Sequence, residues 1–150
     1  MEHIIRHKSA MRLLALVLLL VAAAVPMCAQ TGLQVEKVFE RYGRARGCKF
    51  VVMHDTKLRG YKLHVYKALT YRRGKADVSP YLKADRRAAK KVREVVDNGR
   101  IVSGYYMMSP AQGGMNRYIL FSDVPGNPGA VIYIEGHLSP DDIMKMCYIR

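Results

Sequence analysis

The side chains in residues 30–150 with the greatest potential for chemistry are three histidines, His54, His64 and His137. His54 is followed by Asp55, a pair that could act in acid–base chemistry or bind a metal ion. Adjacent residues of a strand point to opposite faces of its sheet, so we do not expect these two side chains to converge. His-x-x-x-His, Cys-x-x-Cys and His-Glu-x-x-His spacings do not occur in this range. We therefore predict no metal site and no cofactor.

No residue pattern identifies a catalytic nucleophile. The Gly-x-Ser-x-Gly elbow of the α/β-hydrolases is missing from the sequence. Cys48 could join a histidine in a thiol–imidazole pair, but a thiol packed as a small hydrophobic group is the better expectation. Glu135, at the end of a predicted strand, is expected to pair across strands with Arg117 or Arg100. Catalytic residues are therefore not assigned, and the sequence favours a protein that is not an enzyme.

Positive charge is concentrated in the middle of the chain. The full sequence carries a formal charge of +13, and Lys57 to Arg100 contains fourteen Lys and Arg against four Asp and Glu. A basic surface of this kind attracts polyanions. The alternative is a solvated surface that only keeps the protein soluble. The residues expected to form the basic surface are Lys83, Arg86, Arg87, Lys90 and Lys91.

Tyrosines offer a second candidate surface. Together with neighbouring Lys and Arg side chains, they could grip a sugar chain or a peptide. Aromatic residues are also good strand residues, so packing within a sheet is the preferred interpretation. The tyrosines concerned are Tyr61, Tyr66, Tyr71, Tyr105, Tyr106, Tyr118 and Tyr133.

Hydropathy patterns predict the elements that position these side chains. Helical spacing indicates helices over 33–45 and 79–98, the second with an apolar stripe of Tyr81, Ala84, Ala88, Val92 and Val95 opposite the basic residues. Ser139-Pro140 begins a third helix. Alternating and β-rich runs predict strands at 48–54, from Gly60 to Tyr71, and at 100–109, 116–123 and 130–135. The predicted order is α-β-β-α-β-β-β-α, an α+β domain with an antiparallel sheet of about four or five strands and helices packed on one face.

The N-terminus has the pattern of an export signal. Positive residues precede an apolar run from Leu13 to Val25, and Ala29 is a suitable residue before a cleavage site. The run is shorter than the roughly 20 residues that span a bilayer. We predict a signal peptide over 1–29 and a single domain over 30–150, exported to the periplasm or cell envelope, with translation starting at Met1 or Met11. Lipidation of Cys28 is a less favoured alternative.

Removal of the signal peptide would leave two cysteines, Cys48 and Cys147. An even number of cysteines in an oxidising compartment permits a disulfide between them. Two buried thiols are the competing interpretation. The fold decides between these interpretations, because Cys48 begins a predicted strand and Cys147 lies in the last predicted helix.

Several segments together resemble a known class of proteins. They are the Ala-Gln end of the signal, Phe39-Glu40-Arg41-Tyr42, Gly60-Tyr61-Lys62-Leu63, Asn116 to Phe121 and Val131 to Leu138. The chain resembles small exported proteins of Bacteroidetes that are catalogued as domains of unknown function. The resemblance implies a cell-envelope location and a compact α+β fold, and it implies no activity.

The sequence thus predicts an exported cell-envelope protein that acts as a binding or assembly module. Its expected partners are anionic lipid, lipopolysaccharide or acidic polysaccharide, with a further envelope protein as another candidate, whereas export makes nucleic acid an unlikely partner. The alternative is a small envelope hydrolase with a site that sequence motifs do not reveal. A cleft near His54, His64, His137 or Glu135 would favour the hydrolase.

Overall fold

A computed structural model describes residues 32–148 of the chain. The predicted signal peptide, both candidate start residues and Cys28 lie outside this range. Within residues 32–148, three helices and six strands follow one another in the order α-β-β-α-β-β-β-β-α. Their bounds are α1 Val35–Tyr42, β1 Cys48–Leu58, β2 Tyr61–Tyr71, α2 Ser79–Arg86, β3 Lys91–Asp97, β4 Arg100–Met108, β5 Asn116–Ser122, β6 Gly129–Gly136 and α3 Pro140–Tyr148.

The six strands form one antiparallel sheet in the order β1-β2-β6-β5-β4-β3. Two-residue turns close the hairpins at both edges, and all four turn residues have positive φ angles. Arg59-Gly60 has φ values of 49° and 89°, and Asn98-Gly99 has 48° and 75°. Turns of this kind match the right-handed twist of antiparallel strands, which is why Asn-Gly is frequent in them.

Helices α1 and α2 cover one face of the sheet. Val35, Val38 and Phe39 of α1 pack with Leu82 of α2 in a buried cluster, which also includes Leu69, Tyr71, Tyr106, Ile119, Phe121, Val131 and Tyr133 from the sheet. Burial of these apolar side chains is the main stabilising contribution on this face. We call this group the first cluster.

Helix α3 packs on the opposite face. Ile143 and Met146 of α3 join Leu138, Leu63, Tyr105, Tyr118, Leu120 and Ile134 in a second cluster. A reciprocal cap fixes the start of α3, as the Ser139-Pro140 signal predicts. The Ser139 backbone N–H donates to Asp142 at 2.8 Å, and the Asp142 backbone N–H donates to Ser139 Oγ at 3.2 Å.

The structure confirms the α+β class and the meander of β4, β5 and β6, and it corrects three details. The sheet has six strands rather than four or five. The helices lie on both faces rather than one. The predicted helix 79–98 is wrong beyond Arg86, where α2 ends and the chain continues into the edge strand β3.

The predicted apolar stripe of that long helix is therefore wrong as well. Val92 and Val95 lie in β3, where they are 38% and 58% exposed. Ala84 and Ala88 are exposed, while Leu82 and Asp85 are the α2 residues that become buried. The sequence carried a signal for the correct structure, because β-branched residues followed by Asn-Gly are typical of a hairpin.

The two cysteines lie on different faces of the sheet. Cys48 packs against the first cluster, and Cys147 lies beside Tyr66 and Met146 on the α3 side. Both thiols are free in the structure. Burial raises the pKa of the Cys147 thiol, which makes it a weaker nucleophile at neutral pH.

The helices within residues 32–148 all fall short of the length and apolar character that a membrane span requires.

Candidate functional site

The five basic residues named from the sequence form an exposed surface on three successive elements. Lys83 and Arg86 lie on α2, Arg87 and Lys90 lie in the connection after it, and Lys91 begins β3. All five side chains are exposed. We call these five residues the basic segment. It differs from the predicted single helix face, because the helix ends before its last three members.

Arg86 is the member of the basic segment with a structural role. Its Nη2 lies 3.2 Å from Glu94 Oε2, and the hydroxyl of Tyr106 donates to Glu94 Oε1 at 2.9 Å. The Glu94 side chain thereby ties α2 to strands β3 and β4. The other four members form no salt bridge within residues 32–148. Their positive charges are therefore available to a ligand.

A second candidate site lies at the closed end of the β1–β2 hairpin. A cleft of about 880 Å³ opens between this hairpin and the segment that follows β6. We call it the hairpin cleft. Its lining includes Asp55, Lys57, Lys62, His64 and His137, together with Leu63, Leu138 and Met115. Of the four residues near which a cleft would favour a hydrolase, His64 and His137 line this cleft, and His54 and Glu135 do not.

Asp55 and His64 form a hydrogen-bonded pair in this cleft. Asp55 Oδ1 is 2.9 Å from His64 Nδ1, and both side chains are substantially exposed, by 79% and 45%. Asp55 and His64 are opposite each other in the hairpin, at the point where regular pairing between β1 and β2 is interrupted. The φ angle of Asp55 is 46°, a left-handed conformation that is unusual for a residue within a strand. Such conformations are often found at functional sites.

The histidine that contacts Asp55 is His64, from the opposite strand, and not its sequence neighbour His54. His54 is exposed and does not line the hairpin cleft, whereas His64 and His137 do. The signal that could have identified the pair is the two-residue turn Arg59-Gly60, which places residue 55 opposite residue 64. Once the turn is known, the register follows directly.

Glu135 has the cross-strand neighbour that the sequence suggested. It lies directly opposite Arg117 in the pairing of β5 with β6, and the Tyr133 hydroxyl donates to Glu135 Oε2 at 2.7 Å. Arg100 pairs instead with Asp123. Glu135 is therefore part of the polar packing on the α1 side of the sheet and not of the hairpin cleft.

The tyrosines do not form the aromatic surface that the sequence left open. Tyr71, Tyr105, Tyr106, Tyr118 and Tyr133 are all buried, and Tyr61 and Tyr66 are partly buried. Burial raises the pKa of Tyr118 to about 12. These side chains therefore pack within the sheet and its clusters, as the preferred interpretation predicts.

Asp85 and the Lys67–Glu36 ion pair have structural roles that no sequence motif indicates. The Asp85 carboxylate of α2 accepts hydrogen bonds from the backbone N–H groups of Gln34 and Val35, at 2.7 and 2.8 Å. It therefore caps the start of α1 from a different helix. Lys67 Nζ lies 2.5 Å from Glu36 Oε2 and also lies over the ring of Tyr133.

Within residues 32–148, no group of three or more His, Cys, Asp or Glu side chains is arranged to hold a metal ion. The hairpin cleft contains Thr56 and Tyr61 but no Ser or Cys in its described lining. Its chemistry is that of imidazole, ammonium and carboxylate groups.

Comparison with known proteins gives a family and no activity. No curated protein and no solved structure matches the chain. A family model described as a family of unknown function, DUF6108, matches residues 22–147, which is most of the chain. This match confirms the resemblance to a domain of unknown function. The chain therefore belongs to the DUF6108 family.

Proposed function

We propose that the protein is an exported module of the cell envelope that binds anionic surfaces through the basic segment. The observation that supports this function is the exposure of Lys83, Arg87, Lys90 and Lys91 without salt-bridge partners among the residues described. Anionic lipid, lipopolysaccharide and acidic polysaccharide all present closely spaced negative charges to such a surface. Several weak charge contacts formed at once would add up to a measurable affinity for each of these surfaces.

Export is the part of this proposal that rests on the N-terminal sequence. The signal-like pattern of residues 1–29 predicts a mature chain beginning at Gln30. Intact mass spectrometry of the protein recovered from its own cell envelope tests this prediction. A mass that includes residues 1–29, or an acylated chain starting at Cys28, would contradict it.

Binding to anionic vesicles tests the function directly. The protein should bind vesicles of phosphatidylglycerol and phosphatidylcholine, and vesicles of phosphatidylcholine alone serve as the control. Bound protein should decrease steeply as salt is added, because exposed charges are screened over about 8–10 Å at physiological ionic strength. Equal binding to both vesicle types, or binding that persists in high salt, would contradict the proposal.

A small hydrolase is the second candidate, and the hairpin cleft is the observation that favours it. Asp55 orients His64, and His137 supplies a second imidazole in the same cleft. The imidazoles that line the cleft suit attack by water with a histidine as the general base. Turnover of chromogenic esters that is lost in His64→Gln would support this candidate.

A further inference from the structure

The hairpin cleft is separate from the basic segment and has its own charge pattern. Two lysines, Lys57 and Lys62, and two histidines, His64 and His137, line it together with the carboxylate of Asp55. The lysines come from both strands of the hairpin, and His137 comes from the segment after β6. Groups from three parts of the chain thus surround one space of about 880 Å³.

The Asp55–His64 pair determines which imidazole nitrogen faces a ligand. His64 Nδ1 is engaged by Asp55 Oδ1 at 2.9 Å, which leaves Nε2 for an additional partner. A carboxylate only accepts hydrogen bonds, so the proton of this contact lies on His64 Nδ1. Asp55 reaches this position through its left-handed backbone conformation. It is therefore a positioning residue for His64.

The cationic groups match a doubly charged anion. A phosphate monoester carries a charge of about −1.5 to −2 near neutral pH and has three strong acceptor oxygens. Lysine is a common phosphate-binding residue because its ammonium group acts as a compact charge. Leu63, Leu138 and Met115 provide apolar lining that can contact the organic part of an ester. We propose that the hairpin cleft is a binding site for a phosphate monoester group, held by Lys57, Lys62, His64 and His137.

Titration with glycerol 3-phosphate tests this site in the whole domain. Saturable binding should be detected by calorimetry at about pH 6, where histidine side chains commonly carry a proton. His64→Gln and Lys62→Gln should each weaken binding about tenfold, equivalent to the loss of one charge-assisted hydrogen bond. His54→Gln is the matched control, because His54 is an exposed histidine of the same hairpin that does not line the cleft.

The outcomes separate the site from general charge attraction. Weakening by His64→Gln but not by His54→Gln supports the proposal. Absence of saturable binding, or equal weakening in both variants, overturns it. Thermal unfolding of each variant verifies that the domain remains folded. Glu replacements of Arg87, Lys90 and Lys91 should leave this binding unchanged, so failure of the surface-binding function and failure of the cleft proposal are distinguishable.

The positioning role of Asp55 can be tested separately from ligand binding by His64. Asp55→Asn should weaken binding, and ¹⁵N NMR of the imidazole should show that His64 loses its preference for protonation at Nδ1. A carboxylate that only repels the anion would give the opposite result, tighter binding in Asp55→Asn, and this would overturn the positioning role.

Vesicles that contain phosphatidic acid distinguish a lipid head group from a soluble ester. Sensitivity of vesicle binding to His64→Gln assigns the lipid, and insensitivity assigns the soluble ester.

Discussion

At the scale of single residues, the most informative group is a buried carboxylate that serves a different helix. Asp85 accepts two backbone hydrogen bonds from the start of α1, whose own cap position, Gln34, makes no side-chain cap. Sequence patterns describe caps within one helix, so they cannot reveal an acceptor that lies about fifty residues away in the chain. Charged residues of surface helices are rarely buried, so the burial of Asp85 could not be expected from the sequence either.

Removal of this cap should destabilise the domain. We expect Asp85→Ala to lower the free energy of unfolding by about 1–3 kcal/mol, because two N–H groups lose their acceptor and one of them is buried. Denaturant unfolding measures the loss. Asp77→Ala, which removes an exposed acid nearby, is the control and should stay within about 0.5 kcal/mol of the wild type. Equal stability of the two variants would show that the cap is not formed.

The pH dependence of this contribution has a defined sign. Desolvation raises the pKa of Asp85 from 3.8, although the two backbone hydrogen bonds oppose the change. The folded state therefore binds the proton more tightly than the unfolded state. The resulting stabilisation is fully present below 3.8 and is lost as the pH rises through the folded pKa. The stability difference between wild type and Asp85→Ala should accordingly be larger at about pH 3.5 than at neutral pH.

At the scale of elements, helix α1, strand β2, the meander and the cap of α3 follow from local patterns. Helix α2 starts at Ser79-Pro80 as expected, but it ends twelve residues earlier than the predicted helix 79–98. Val92, Val95 and Val96 satisfy a helical spacing and also suit an edge strand. Periodicity alone does not separate these possibilities in a short segment. The Asn98-Gly99 turn and the pairing of β3 with β4 decide in favour of the strand.

This hairpin should be sensitive to its turn glycine. Gly99 has a φ angle of 75°, and a Cβ atom there would meet no neighbouring atom, so backbone strain is the only cost of a side chain. We expect Gly99→Ala to reduce stability by about 1–2 kcal/mol. Gly32→Ala, which lacks a positive φ angle and close neighbours, should have a small effect. Carbon chemical shifts of residues 91–97 should be those of extended backbone, and helical shifts would contradict the assignment of β3.

At the scale of the whole molecule, the sequence predicted the exposed basic segment but not the hairpin cleft. The basic segment and its exposure follow from composition, because Lys and Arg are rarely buried. The hairpin cleft does not follow, since it depends on the register of β1 with β2 and on the path of the chain after β6. The Asp55–His64 pair joins residues that are separated in sequence by the whole hairpin turn. The hairpin cleft, which no sequence motif indicated, therefore arises only from the tertiary structure.

The central claim is that the basic segment, rather than net charge, binds anionic surfaces. It is tested most directly by comparing two triple charge reversals in vesicle binding. Arg87, Lys90 and Lys91 changed to Glu should abolish binding, whereas Arg44, Arg46 and Lys49 changed to Glu should largely preserve it. The control residues are also exposed and lie near β1, at the sheet edge opposite β3. Both variants carry the same net charge, so equal loss of binding in the two would contradict the claim.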